Sequence, residues 1–269
     1  MTRFAFFTYL VFAFMLISLM APLAMAAGDP VDITADTALE WDRKNAQYIA
    51  RGNASATQAG TTVKADKLIA RYDNSGGGGS TDLTEIEAVG HVRILNGDVT
   101  LYGDNGIYNM IDGTARLTGE DLRMENADSV ITADDAFVYD TTAQTVTATG
   151  NAVATRGDDR LESEKFIGYM VQDENGQTAL DRIEVPQNVT IITPQERVTG
   201  NTGTYNPTKE VATLRGDVKI RQGENELNGA RAEVNLQTGI SRLFGLENDG
   251  GLPGRVRGVF YPKSDDSGE

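Results

Sequence analysis

Carboxylates are the only groups in this sequence that recur at a spacing suited to chemistry. Asp36, Asp66, Asp104 and Asp134 are each followed, five or six residues on at most, by an aromatic: Trp41, Tyr72, Tyr108 and Tyr139. Glu164 with Tyr169 and Asn201 with Tyr205 continue the series, at successive intervals of 30, 38, 30, 30 and 37 residues. Paired carboxylates can carry acid–base work, and clustered ones can hold calcium. A catalytic pair, however, occurs once in a chain, and these recur once per period. Their spacing assigns them a structural task at turns or strand edges. Little else could react. One His and no Cys remove thiol nucleophiles, thiolate metal sites and disulfides, and leave almost no room for a His-ligated metal. There is no Gly-x-Ser-x-Gly elbow and no phosphate-cradling loop. The basic residues Arg255, Arg257 and Lys263 sit in a Gly/Pro-rich stretch and read as a solvated end. No cofactor or metal is implied, and the pattern argues against an enzyme. A secreted β-helix carbohydrate-active enzyme would need one unrepeated cluster of Asp, Arg and Lys, and none can be located.

The elements that position these acids are strands. Each period also contains a Gly followed by a polar residue: Gly52-Asn53, Gly90-His91, Gly119-Glu120, Gly150-Asn151 and Gly216-Asp217. Gln187-Asn188 is a divergent copy and Gly245-Leu246 a decayed one. Steps of two outward from each Gly meet apolar residues, such as Ile86, Ala88, Val92 and Ile94 around Gly90. The intervening positions are polar, which is the signature of a strand with one face on a core and the other in water. Asn96-Gly97, Asp112-Gly113 and Gly157-Asp158 supply turn chemistry between the runs. The reading is an all-β chain of about seven two-strand repeats, roughly 14 to 16 strands, folded over as a sheet or stacked as a solenoid. Either arrangement ends in open edges that must be covered or paired.

Composition bounds the partners. The 269 residues are 40% hydrophobic with a formal net charge of −15, so nucleic acid is an unsuitable partner. Arg3, an apolar run from Phe4 to Met20, Pro22 and Ala24-Met25-Ala26 describe a secretory signal peptide over residues 1–26. The same run retained would be a membrane anchor. Residues 27–248 form the repeat domain, and 249–269 are expected to be a flexible tail. Export without disulfides leaves burial to hold the fold together.

The inward residues of the Gly-bearing strands are small. Ala, Gly and Val dominate where two sheets about 10 Å apart need filling. Either the leaves approach closely, with Gly marking bends, or something else fills the gap. Lipid chains would suit that gap. A twelve-carbon chain exposed to water costs about 10 kcal/mol, so a lipid cannot cross an aqueous space unescorted. The expected groove positions are Ala50, Ala54, Ile86, Ala88, Val92, Ile94, Leu117, Val146, Ala148, Val185, Val189, Leu214 and Val218.

Ala35-Asp36 with Trp41-Asp42, and Ala133-Asp134 with Tyr139-Asp140, are answered by Gly52-Asn53-Ala54 and Gly150-Asn151-Ala152. This pattern, over about Val31 to Leu246, resembles the LptA/OstA-like family of lipopolysaccharide-transport bridge proteins. The resemblance implies an elongated antiparallel β-jellyroll, partly open along one side, whose apolar interior takes lipid A acyl chains. It implies a periplasmic, non-enzymatic protein that associates head to tail. Its partners would be an inner-membrane extractor or relay subunit and an outer-membrane translocon. The membrane-anchored relay subunit of the same machine is the nearest alternative, and it would keep its N-terminal segment. The chain is longer than a single bridge domain of that family.

Overall fold

The structure, a computed structural model, describes residues 30–73, 82–127, 129–172, 178–194, 196–206, 208–235, 238, 240–245 and 255–261. The expected signal peptide and the two longest loop tips, 75–80 and 173–177, lie outside the described residues. All regular structure found is strand. The first crossing of the fold is β1 (Asp32–Thr34) and β2 (Ala38–Asp42), followed by β3 (Gln47–Gln58), β4 (Thr61–Asp73), β5 (Asp82–Asn96) and β6 (Val99–Asn109). Then come β7 (Thr114–Thr118) with β8 (Arg123–Glu125), β9 (Val130–Thr132) with β10 (Ala136–Asp140), β11 (Thr145–Arg156) and β12 (Asp159–Gln172). Next are β13 (Thr178–Val185) with β14 (Val189–Ile192), β15 (Arg197–Gly200) with β16 (Thr202–Asn206), β17 (Val211–Gln222) and β18 (Asn225–Asn235). The last crossing is β19 (Ile240–Phe244) with β20 (Arg257–Val259).

These twenty strands are fourteen passes, because six passes are broken in the middle and counted twice. Every pairing is antiparallel. The first half of β3 pairs with β2 and its second half with β1. In the same way β6 pairs with both β7 and β8, β11 with both β10 and β9, and β17 with both β16 and β15. Each pass thus contributes to two leaves, joined along a fold line that runs the length of the sheet. This is the folded-over sheet the repeat implied. The expected strand number of roughly 14 to 16 corresponds to the passes, each broken pass being read as one strand.

The fold line is where the recurring motifs meet. Gly52 and Asn53 have φ of 78° and 43° and are skipped in the β3–β4 register between Arg51 and Ala54. Gly90-His91, Gly150-Asn151 and Gly216-Asp217 repeat that conformation and the slip in register. Two left-handed residues in a row make a bulge that turns the strand a corner, and only Gly adopts the first without strain. The acid of the neighbouring pass braces it. Asn53 Nδ2 donates to Asp36 Oδ2 at 2.8 Å, and Asn151 Nδ2 to Asp134 Oδ2 at 2.7 Å. His91 Nδ1 lies 2.8 Å from Asp66 Oδ2, and the Glu120 N–H donates to Asp104 Oδ2 at 2.9 Å. At the divergent copy the brace is Ser163, whose hydroxyl donates to the Gln187 carbonyl, and not Glu164. The repeated acids are corner braces.

The Asp or Asn after Trp41, Tyr108, Tyr139 and Tyr205 starts a hairpin at the far rim. Asp42 accepts from the N–H groups of Lys44 and Asn45, both at 3.1 Å, and Asp140 from those of Thr142 and Ala143 at 2.9 and 2.8 Å. Asn109 does the same for Ile111 and Asp112. These are Asx turns, so the aromatic-Asx pair is a packing residue followed by a turn starter.

Two expectations need correction. The interior is not made of small residues throughout. Ala50, Ala54, Ala88 and Ala152 on Gly-bearing strands are matched by Leu68, Leu101, Phe137, Leu161, Phe166 and Met170 on the alternate passes, all buried in one continuous core. Larger side chains on neighbouring passes fill the space left by Ala on the bending strands β3 and β11. The tail expected from residue 249 also carries structure, since Arg257–Val259 pairs with Asn228–Glu226 as β20.

Gly150 tests the corner. A Cβ there would lie 2.7 Å from the Asp135 amide nitrogen at a φ of 83°, whereas at Gly60, with φ of 81°, it would meet nothing within 4 Å. Gly60→Ala should cost about 1 kcal/mol through backbone strain alone. Gly150→Ala should cost about 2–4 kcal/mol, because overpacking adds to the same strain. Urea melts of the two variants give the comparison, and equal costs would contradict the close-packed corner.

Candidate functional site

Between the leaves lies an apolar cleft of about 710 Å³, counted out to its open mouth. The side chains that meet there come from both leaves, because each pass turns its apolar face inward on either side of the bulge. Of the thirteen expected groove residues, Ile86, Ala88, Val92, Ile94, Leu117 and Val146 line this cleft. Ala50 lines a smaller one of about 260 Å³ nearer the first pass. Ala54, Ala148, Val185, Val189, Leu214 and Val218 are buried in the packed core and border neither space. This cleft is lined from residues 63–146. Ile94 differs from the other twelve in being only partly buried.

Val63, Leu101, Phe137 and Tyr139 complete the cleft and were not among the expected positions. They belong to bracing passes, which lack the Gly-polar pair that marks the corner strands. Their signal was present in the same alternation, for example Leu68, Ala70 and Tyr72 stepping by two from Asp66.

The two lips of the groove differ in chemistry. Toward the rim of one leaf the inward row is aromatic: Tyr139 and Tyr205 are buried, and burial lifts both phenols above their ordinary range, Tyr205 to about 12. Burial also raises Tyr108, so this lip is uncharged at neutral pH. Trp41 closes the row at the first pass, stacked on Tyr48 and donating to the Tyr72 hydroxyl at 2.9 Å. The other lip is polar. Gln58, Thr61, Asn96 and Ser129 are buried there, and Asn96 Nδ2 donates to Thr61 Oγ1 at 2.9 Å. Farther along, burial pushes the Glu196 carboxyl above the usual carboxylate range. Asp159 is raised likewise, by burial first and then by Asp158, against an opposing pull from Arg156. Among the described residues no cluster of His, Asp and Glu is suited to hold a metal ion.

An acid-braced, bent antiparallel sheet with an apolar cleft has a counterpart among known proteins. The family described as LptA/(LptD N-terminal domain) LPS transport protein matches twice, over residues 32–144 and 131–240. The chain belongs to that family. Its members are described as transport proteins and not as enzymes. An uncharacterised protein of Rhizobium meliloti (strain 1021) is 28% identical over 116 residues, which span 42% of this chain and 62% of that protein. The shared region is thus under two thirds of that relative's length. The crystal structure of LptH, the LptA homologous periplasmic component of the conserved lipopolysaccharide transport device from Pseudomonas aeruginosa, is 13% identical. The match covers 88% of this chain and 99% of LptH, with a TM-score of 0.22. So loose a superposition leaves the fold to rest on the strand pairing above.

The two family matches overlap on β9 and β10. Asp36 and Asp134, Trp41 and Tyr139, and Gly52 and Gly150 each stand 98 residues apart, and Ile33-Thr34-Ala35-Asp36 recurs as Ile131-Thr132-Ala133-Asp134. The chain holds two modules that share a pass.

Glu196 provides a test of the polar lip. Its carboxyl binds a proton more tightly folded than unfolded, so it favours the fold in acid. That contribution is lost as pH rises from the unfolded value toward the raised folded one. Glu196→Gln should therefore raise Tm at pH 7, with the advantage vanishing below about pH 4. A variant less stable at pH 7 would contradict the burial of this carboxyl.

Proposed function

We propose that the protein is a periplasmic lipopolysaccharide carrier that shields acyl chains in its groove and bridges the inner and outer membranes by head-to-tail assembly. The apolar cleft between the leaves carries this reading. It is lined by Ile86, Val92, Ile94, Leu101 and Phe137, with Arg116 the single charged residue on its wall, and it opens between an aromatic and a polar lip. Each methylene moved from water into such a space contributes about 0.8 kcal/mol, enough to hold a chain without any specific polar contact. With a net charge of −15 the protein would not attract phosphorylated headgroups, so sugars and phosphates would stay outside. The ends of the sheet support assembly. Among the described residues β1 and β2 pair with β3 alone, and β19 and β20 with β18 alone, so within that set both terminal passes present an outer backbone edge to a partner. The partners would be an inner-membrane extractor or relay subunit at one end and an outer-membrane translocon at the other.

A photocrosslinking residue in place of Ile94 should capture lipopolysaccharide, and one in place of the neighbouring Arg93, on the opposite face of β5, should not. Capture at Ile94 should persist at high salt, because chain burial is not screened. Equal capture at both positions, or at neither, would remove the cleft from the transport path.

A further inference from the structure

We infer that the chain carries within itself the template for its own intermolecular joint, and that this template sets which residues meet when one copy docks on the next. This rests on the head-to-tail reading above. The two modules join where β7 and β8 pair with β9 and β10. There Leu117 lies opposite Phe137, Arg116 opposite Val138 and Ala115 opposite Tyr139, while Arg123 and Met124 face Thr132 and Ile131.

Both sides of this internal joint recur at the free ends. The pass formed by β9 and β10 is repeated, 98 residues earlier, by β1 and β2: Leu39 stands for Phe137, Glu40 for Val138, Trp41 for Tyr139 and Ile33 for Ile131. The pass formed by β7 and β8 is repeated by the last one. Ala115-Arg116-Leu117 returns as Ser241-Arg242-Leu243, and Arg123 of β8 as Arg257 of β20. The surroundings repeat too. A Cβ on Gly103 would meet Leu117 Cγ at 2.9 Å and the Thr118 carbonyl at 2.9 Å. One on Gly229 would meet Leu243 Cγ at 2.7 Å and the Phe244 carbonyl at 2.8 Å. The last pass is therefore seated on β18 as β7 is seated on β6, and only its outer neighbour is missing among the described residues.

Exposure shows what that neighbour would cover. Phe137 and Tyr139 inside the chain are 3% and 8% exposed, whereas their counterparts Leu39 and Trp41 on the free first pass are 60% and 52% exposed. At the other end Ile240, Phe260 and Tyr261 are exposed. The edges also differ in charge. Asp32, Asp36, Glu40 and Asp42 make the first pass acidic, and Arg242, Arg255 and Arg257 make the described part of the last pass basic. Copying the internal joint puts β19 of one copy antiparallel to β2 of the next, with Leu243 over Leu39, Ser241 over Trp41 and Arg242 opposite Glu40. Arg257 then faces Thr34 on the second leaf. Arg242 meets Glu40 where the internal joint has Arg116 against Val138, so Arg242 joins the Glu40 carboxylate that Arg51 of the same copy already holds at 3.0 Å, a contact the internal joint lacks. Two acidic or two basic edges placed together would repel, which excludes head-to-head and tail-to-tail contacts.

The absence of Cys allows a direct test on the full mature chain. The variant carrying Arg242→Cys and Glu40→Cys should form a ladder of disulfide-linked oligomers on mild oxidation, because directly opposed Cβ atoms lie within bridging reach. Arg242→Cys with Asp42→Cys, two residues out of register, should not. Glu40→Arg should reduce oligomers in light scattering at low salt, and adding Arg242→Glu should restore them. A ladder from the offset pair instead of the opposed pair would overturn this register while leaving head-to-tail assembly in place. Unmodified protein that stays monomeric at every concentration would overturn both.

Discussion

Everything in this molecule depends on keeping one face of each strand inward while the strand turns a corner. A one-residue bulge would move every later side chain to the opposite face. The two-residue corner avoids that: Ala50 and Ala54, on either side of Gly52-Asn53, are both buried. The same holds for Ala148 and Ala152 about Gly150-Asn151 and for Leu214 and Val218 about Gly216-Asp217. On these strands parity survives the bend, whereas on the bracing passes it shifts by one residue at the corner, from Ala65 to Leu68 on β4 and from Ser163 to Phe166 on β12. The left-handed conformations this requires are held by an acid or amide on the neighbouring pass, which explains why acids and Gly-polar pairs alternate down the chain.

The corner also decides how the interior is filled. Beside Gly52 and Gly150 the bending strands carry Ala, and the passes between them bring Leu, Phe and Met to the same layer. Around β4 to β7 and β10 the filling is incomplete, and the cleft remains. A groove of this kind needs no dedicated binding motif. It is the place where the packing of a repeat protein is left incomplete.

Much of this was legible in the residues. The period, the all-β architecture and the inward positions follow from alternation around each Gly, and all thirteen expected groove residues do point into the fold. Which of them border open space was not legible, because Val92 and Val218 have the same type and position in their repeats, and only the partners across the gap distinguish them. Phe137 and Tyr139 were missed for a related reason: reading outward from Gly samples only every second pass. The strand at Arg257–Val259 was hidden by its Gly/Pro-rich surroundings. Local composition there argues for loop, and pairing with β18 overrides it.

The shared crossing between the two modules has a mechanical meaning. Neighbouring strands stand about 4.8 Å apart, so the six crossings from one module start to the next advance about 29 Å along the long axis. Duplication of a module would lengthen the reach in steps of that size and leave the cross-section unchanged. In the proposed assembly such a sheet would act as a ruler: its span across an aqueous gap would be set by counting crossings, whether supplied within a chain or by adding chains.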